Sequence, residues 1–218
     1  MIEIIYFYVL NKIRESYWIT LMIFKLRIKK NLLSLNWDMT TIVMKKAIDK
    51  YIMDGKKEIF EMGVGHVAII SQYIKKIFPS NKISGCDIYY EFVENALFNA
   101  KINNLNINIT QSKFYENIDG CFDYILFNPP YVPIVDKEID FPETCYSGND
   151  GTDVTRTFLN QSKRYLKNGG LIFLGINCYY IAYEKQVSII QSYGYSIKEV
   201  ISRKFNTSKV FVLTYDVS

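Results

Sequence analysis

At 218 residues the chain is long enough for one substantial core and too short for two ordinary domains, and its 49% apolar and 16% aromatic content excludes a disordered protein. The net charge of +4 is uneven: residues 1–60 hold 11 Lys/Arg against 6 Asp/Glu, and residues 61–218 hold 15 against 16. The basic N-terminal part suits nucleic acid, a ribosomal particle or an anionic membrane surface, with ordinary solvated lysines as the simpler account.

The first 28 residues are apolar but broken by Glu3, Lys12, Arg14 and Glu15, so none of their runs reaches the roughly 20 residues of a bilayer crossing. No signal-peptide pattern of leading positive charge and a small-residue cleavage site is present. The reading is an amphipathic helical arm over residues 1–35, basic at Lys25, Arg27, Lys29 and Lys30, that packs on the core, covers a partner surface or guides substrate. Interfacial membrane binding is a lesser alternative.

The second unit, residues 36–218, alternates helical periods with short apolar runs. Helices are predicted over 41–52, 67–78 (stopped by Pro79), 91–102, 154–166 (ended by Asn168-Gly169-Gly170) and 181–192. Strands are predicted over 58–62, 82–88, 106–110, 122–127 and 171–176, with a closing hairpin of 195–201 and 209–215. Repeated β–α alternation means a mostly parallel sheet with helices on both faces and an antiparallel last strand. Residues 132–153 form the longest irregular stretch and read as a lid or substrate-selecting loop. Four cysteines without a CxxC pair and a single histidine, His66, suggest neither a zinc site nor a disulfide framework, and a reducing cytoplasm fits best.

Asn128-Pro129-Pro130-Tyr131 follows the apolar run Phe122–Phe127. The prolines cannot donate to a sheet and fix φ, so the strand must end in a stiff turn. That turn presents one amide, a row of carbonyls and one ring, which suits capture of a planar –NH2 group; the plainer account is a structural turn. Glu61-Met62-Gly63-Val64-Gly65-His66 ends the first strand, and glycines there let backbone approach a ligand. Asp87, 22 residues beyond Gly65, ends the next strand and can accept hydrogen bonds from both hydroxyls of a ribose. A nicotinamide Rossmann unit uses the same geometry, but Ala68 stands where its third glycine would be, and Glu61 sits poorly beside a pyrophosphate.

From about residue 36 onward these stretches resemble the class I S-adenosylmethionine methyltransferases, specifically the HemK/PrmC-type protein-glutamine N5-methyltransferases and their short eukaryotic and archaeal relatives. Further similarity lies in Asp38-Met39-Thr40, Tyr131-Val132-Pro133, Ser147-Gly148-Asn149-Asp150-Gly151 and Leu166-Lys167-Asn168-Gly169-Gly170. The resemblance implies a Rossmann-like, seven-stranded methyltransferase fold. It implies that Gly63 and Gly65 shape the loop against the methionine part of S-adenosylmethionine, with Glu61 at its edge, and that Asp87 holds the ribose. Asn128 and the carbonyl of Pro129 would bind the target –NH2, at the junction with the cofactor, with Pro130 completing the turn and Tyr131 packing on the target plane. Val67 stands where the family usually has a third glycine, and Lys113 where it usually has an Asp that reads the adenine. The roughly 35 residues ahead of the domain cannot supply the helical domain of bacterial release-factor methyltransferases.

The expected function is therefore N-methylation of a protein glutamine amide on a release-factor-like target, in the cytoplasm, with a small activating partner protein as in the short relatives. The alternatives are an N6-adenine methyltransferase on DNA or RNA, a small-molecule or peptide N-methyltransferase, a non-catalytic binding subunit, and a dehydrogenase.

Overall fold

The computed structural model describes residues 12–29, 37–134, 142–204 and 206–215. Strands β1 (Glu58–Met62), β2 (Lys82–Asp87), β3 (Asn108–Gln111), β4 (Phe122–Phe127), β5 (Leu166–Asn177), β6 (Ser196–Ser202) and β7 (Ser208–Thr214) form one sheet in the order β3-β2-β1-β4-β5-β7-β6. Strands β1 to β5 pair in parallel, and β7 runs antiparallel to both β5 and β6. This is the seven-stranded, mostly parallel sheet with an antiparallel last strand that the alternation predicts.

Helices α1 (Tyr17–Phe24), α2 (Met39–Tyr51), α3 (Ile69–Ile77), α4 (Tyr90–Ile102), α5 (Asp153–Ser162) and α6 (Tyr183–Ser192) cover the two faces. Successive strand residues point to opposite faces, and the core divides accordingly. Ile59, Leu126 and Phe173 pack with Phe24, Val43 and Ile74 from the first three helices. Their neighbours Phe60, Phe127 and Leu174 pack with Phe158, Leu159 and Ile190 from α5 and α6. With both faces covered, the central strands are apolar along most of their length.

Most boundaries shift by one or two residues from the sequence reading, and two of the differences have a clear cause. Helix α5 ends at Ser162, not at 166, and Leu166-Lys167-Asn168-Gly169-Gly170 belongs to β5. Leu166 pairs with Phe122 and Leu171 with Tyr124, so the intervening residues bulge out of the ladder. Gly169 takes φ +72°, and a Cβ on Gly170 would lie 2.9 Å from the Lys167 carbonyl and 3.0 Å from that of Asp123. The glycines thus serve a bulge instead of a helix stop. Helix α2 starts at Met39, before the predicted 41, because Asp38 caps it through Thr41.

The part of the N-terminal arm that is described packs into the core. Phe24, Leu26 and Ile28 are buried beside Trp37 and Tyr73. The outward face of α1 carries Trp18 and Met22, exposed at 75% and 74%, so the helix is apolar on both sides and not amphipathic. Beyond it, Arg27 and Lys29 use their backbones as a strand would. Arg27 N donates to Asn103 Oδ1 (2.9 Å) and its carbonyl accepts from Asn103 Nδ2 (2.8 Å). Lys29 makes the same exchange with Asn99, at 2.8 and 3.2 Å. Two residues along an extended chain advance about 6.6 Å and four along a helix about 6.0 Å, so the two spacings match. No helix among the described residues is long and apolar enough to cross a membrane.

Candidate active site

Strands β1 and β4 are neighbours although β2 and β3 lie between them in sequence, so the strand order reverses there. Open α/β sheets bind ligands at such a point, outside the carboxyl ends of the strands. Met62 pairs with Phe127 on one side and with Cys86 on the other, which sets Gly63, Asp87 and Asn128 side by side as they leave the sheet. A cavity of about 1230 Å³ opens over these ends, and Glu61, Gly63, Gly65, Asp87, Asn128 and Tyr131 all line it, as do both prolines.

The β1 loop turns on its glycines. Gly63 and Gly65 have φ of +61° and +64°, a region costly for any residue with a Cβ. A Cβ on Gly63 would also press within 3.2 Å of the Phe127 ring, whereas beside Gly65 there is open space. Val64 N donates to the Cys86 carbonyl (3.0 Å), holding the loop against the end of β2. A Cβ at Gly85 would meet Val64 Cγ1 at 2.5 Å, so the loop lies flat only over a glycine.

Asp87 is buried and accepts two backbone bonds, from Gly65 N at Oδ2 (2.9 Å) and from Tyr89 N at Oδ1 (3.1 Å). Burial raises its pKa, and these amide dipoles oppose the rise. A carboxylate has about four acceptor positions, so capacity remains for a ligand's hydroxyls.

Glu61 lines the cavity and also serves the fold. Its Oε2 accepts from Ser71 N (2.8 Å) and Ser71 Oγ in the first turn of α3. Ala68 offers that helix no side-chain cap, so β1 supplies one. Burial pushes the Glu61 carboxyl up to about 8, against the pull of both Ser71 bonds. Val67 is buried in the apolar cluster, and the exposed Lys113 lines the cavity between Ser112 and Phe114.

The Asn128–Tyr131 turn is held from a helix distant in sequence. Asn128 Nδ2 lies 3.3 Å from each oxygen of Asp38, and Tyr131 Oη donates to Asp38 Oδ2 (3.0 Å). Asn128 Oδ1 is shielded from solvent and accepts no hydrogen bond. A Cβ on Gly175 would lie 3.0 Å from that oxygen and 2.7 Å from Thr40 Cγ2, so this position of β5 leaves room for the turn. The Tyr131 ring stacks on Tyr180 (centroids 5.7 Å apart, planes at 26°), which occupies one of its faces. Burial and the Asp38 carboxylate hold the Tyr131 phenol well above the ordinary tyrosine range.

The described part of the loop that follows is tied back to the site. Val132 bridges to Tyr146, with Val132 N donating to Cys145 O and Ser147 N to Val132 O, both at 3.0 Å. Ser147 Oγ accepts from Val154 N (3.0 Å) in the first turn of α5. Gly151, at φ +76°, lies where a Cβ would be 2.6 Å from the Tyr131 carbonyl. Residues 135–141 of the predicted lid lie outside the described residues.

The sequence reading missed Asp38, Tyr180 and Gly175 as parts of this site. Of these only Asp38 carried a signal, the Asp38-Met39-Thr40 stretch of the family resemblance, and that stretch came with no role in the site.

The model of the methyltransferase small domain family matches residues 34–205. A protein of Methanocaldococcus jannaschii, provisionally named a protein N5-glutamine methyltransferase, is 39% identical over 129 residues, covering 56% of this chain and 64% of its own length. A release factor glutamine methyltransferase of Francisella tularensis is 28% identical over 159 residues, covering 69% of this chain and 56% of its own length. The chain thus spans less than two thirds of either relative. Among solved structures, a methyltransferase from Pyrococcus furiosus superposes with a TM-score of 0.68 at 23% identity, covering 94% of this chain and 93% of that one.

Proposed function

The chain belongs to the methyltransferase small domain family, and from that premise we propose that it is an S-adenosylmethionine-dependent N-methyltransferase acting on the side-chain amide of a protein glutamine. The observation that carries this reading is Asn128, which lines the cavity next to the backbone of Pro129 and whose Oδ1 is shielded and accepts no hydrogen bond. The names of the Methanocaldococcus and Francisella relatives support glutamine as the acceptor and a release-factor-like protein as the substrate. A small activating partner protein and a cytoplasmic setting complete the proposal.

The residues present fit the cofactor. Two positive-φ glycines leave an open backbone surface, Asp87 keeps acceptor capacity for a ribose, and Glu61 offers a carboxyl to a cationic amino-acid end. Bound S-adenosylmethionine would supply a methyl group already activated by its sulfonium.

The difficulty lies in the acceptor, because an amide nitrogen has its lone pair delocalised into the carbonyl. Asn128 Oδ1 and the Pro129 carbonyl would accept its two N–H bonds, which localises electron density on the nitrogen and fixes its direction of attack. Positioning and electrostatics suffice, and no covalent intermediate is required. Transfer would replace one N–H of the target amide by N–CH3, with the S–C bond of the cofactor giving way and the displaced proton leaving to solvent.

The test is methyl-labelled S-adenosylmethionine with purified protein and cell extract, followed by separate protease and nuclease digestion. Label released only by protease, and recovered as methylglutamine, is the expected result. Label released only by nuclease would replace the proposal with an adenine N6 acceptor, which presents the same planar –NH2 group.

A further inference from the structure

We propose that Asp38 is a positioning residue for the transfer: it fixes which end of the Asn128 amide faces the substrate. This rests on the reading that a planar –NH2 group is the methyl acceptor. The oxygen and nitrogen ends of an asparagine amide have nearly the same shape and opposite hydrogen-bonding roles. Packing alone cannot select between them, so the choice must come from a partner of one polarity. With Oδ1 toward the substrate, Asn128 accepts from the target amide. With Nδ2 toward it, donor faces donor and the target nitrogen is not held for attack, although the rest of the acceptor protein can still bind.

Asp38 makes this choice. As a carboxylate it only accepts, and both its oxygens lie 3.3 Å from Asn128 Nδ2, which turns the nitrogen toward helix α2 and leaves Oδ1 as the free acceptor. Asp38 is itself immobilised. Its Oδ1 accepts from Thr41 N and Thr41 Oγ1, both at 2.7 Å, at the start of α2, and Thr41 Oγ1 accepts in turn from Asp38 N (3.2 Å). Its Oδ2 takes the Tyr131 hydroxyl, so one carboxylate braces the first and last residues of the turn. Thr40 Oγ1 lies 3.4 Å from the same hydroxyl and donates to Ser208 Oγ (3.0 Å) on β7. The capping box that starts α2 is therefore also the brace of the acceptor site.

The test is Asp38→Asn. Asparagine is as good a helix cap as aspartate, so the fold should survive. It brings its own NH2 to the Asn128 side, however, and that group is best met by Asn128 Oδ1, which reverses the amide. The expected result is S-adenosylhomocysteine binding within about threefold of wild type, KM for the protein acceptor little changed, and kcat down by roughly 100-fold or more. A purely structural cap predicts wild-type kcat, so Asp38→Asn transferring within about threefold of wild type would overturn the inference. Should Asp38→Asn not fold, Asp38→Ser keeps a capping oxygen one bond too short for the same contact, and carries the same expectations. Side-chain amide NMR separates this inference from the functional reading. The Asn128 NδH2 signals, assigned by their loss in Asn128→Asp, should be exchange-protected in the wild type and displaced in Asp38→Asn. If the wild type methylates nothing, the functional reading fails and takes the role in transfer with it, while the signals still report separately whether Asp38 sets the Asn128 amide; unchanged signals overturn the inference in either case.

Discussion

Replacing Glu61 with glutamine should remove a pH dependence of stability that is built into the first strand. In the folded protein burial holds this carboxyl at about 8, against 4.5 for the ordinary group. A raised pKa means that the native state binds the proton more tightly than the unfolded state. The corresponding stability is fully present below about 4.5 and is lost as pH rises through about 8. Each pH unit between these limits costs about 1.4 kcal/mol, and half-titration at the upper limit trims the last unit. From pH 6 to pH 8 the loss comes to about 2 kcal/mol. Glutamine keeps a carbonyl for Ser71 and does not titrate. The assay is urea unfolding of both proteins at pH 6, 7 and 8, which cancels every other titrating group. The wild type should lose about 2 kcal/mol relative to Glu61→Gln across that range. A difference that stays flat within about 0.5 kcal/mol would refute the buried, neutral Glu61. Calorimetry with S-adenosylhomocysteine, whose amino-acid end carries an ammonium group, extends the test. Near pH 7 the wild type should release about one proton on binding, and Glu61→Gln none.

Asn128→Ala should lower kcat by roughly 100- to 1,000-fold while leaving the dissociation constant for S-adenosylhomocysteine within a few fold; loss of both together would show that acceptor and cofactor sites are not divided as described. Asp87→Ala should do the reverse, weakening cofactor binding by at least about tenfold in titration calorimetry, since two hydroxyl contacts at about 1 kcal/mol each are removed. Asn103→Ala strips the partners from both Arg27 backbone groups and from Gln72 Oε1, which accepts from Asn103 Nδ2 at 2.9 Å. Unfolding by urea should show a loss of about 2–4 kcal/mol, and a loss below about 1 kcal/mol would mean that the arm is held by apolar burial alone.

What could be read from the sequence was what local pattern determines. Runs such as Phe122–Phe127 are too apolar to face water on either side, and Gly63 and Gly65 mark the tight turn after β1, so the sheet and its ligand-binding ends emerge from composition. The bulge at Lys167–Gly170 did not, because glycine after a helical period has the same local signature whether it ends a helix or turns a strand aside. The burial of Leu166 against the second apolar cluster decides between them. Glu61 was expected at the cavity, but its bond to Ser71 depends on where α3 begins, two residues later than the periodicity suggests. Asp38 meets Asn128 across 90 residues of sequence. A capping aspartate and a bracing aspartate look alike until the chain is folded.

Asn99 of α4 and Asn103, which caps its end, change what counts as the smallest foldable piece of this protein. The family match begins at residue 34, and a boundary drawn there would treat everything earlier as an appendage. Phe24, Leu26 and Ile28 nevertheless occupy the same apolar cluster as Trp37 and Tyr73, and each is worth about 1.5–3 kcal/mol when fully buried. A chain cut at the family boundary would keep Glu61, Asp87, Asn128 and Tyr131 at the cavity and lose the apolar packing behind them. Asn99 and Asn103 would then offer their amides to water, over an open groove shaped for an extended strand. The shared ancestry of the sequence and the physical unit of the fold have different edges here, and a minimal enzyme should be drawn along the second.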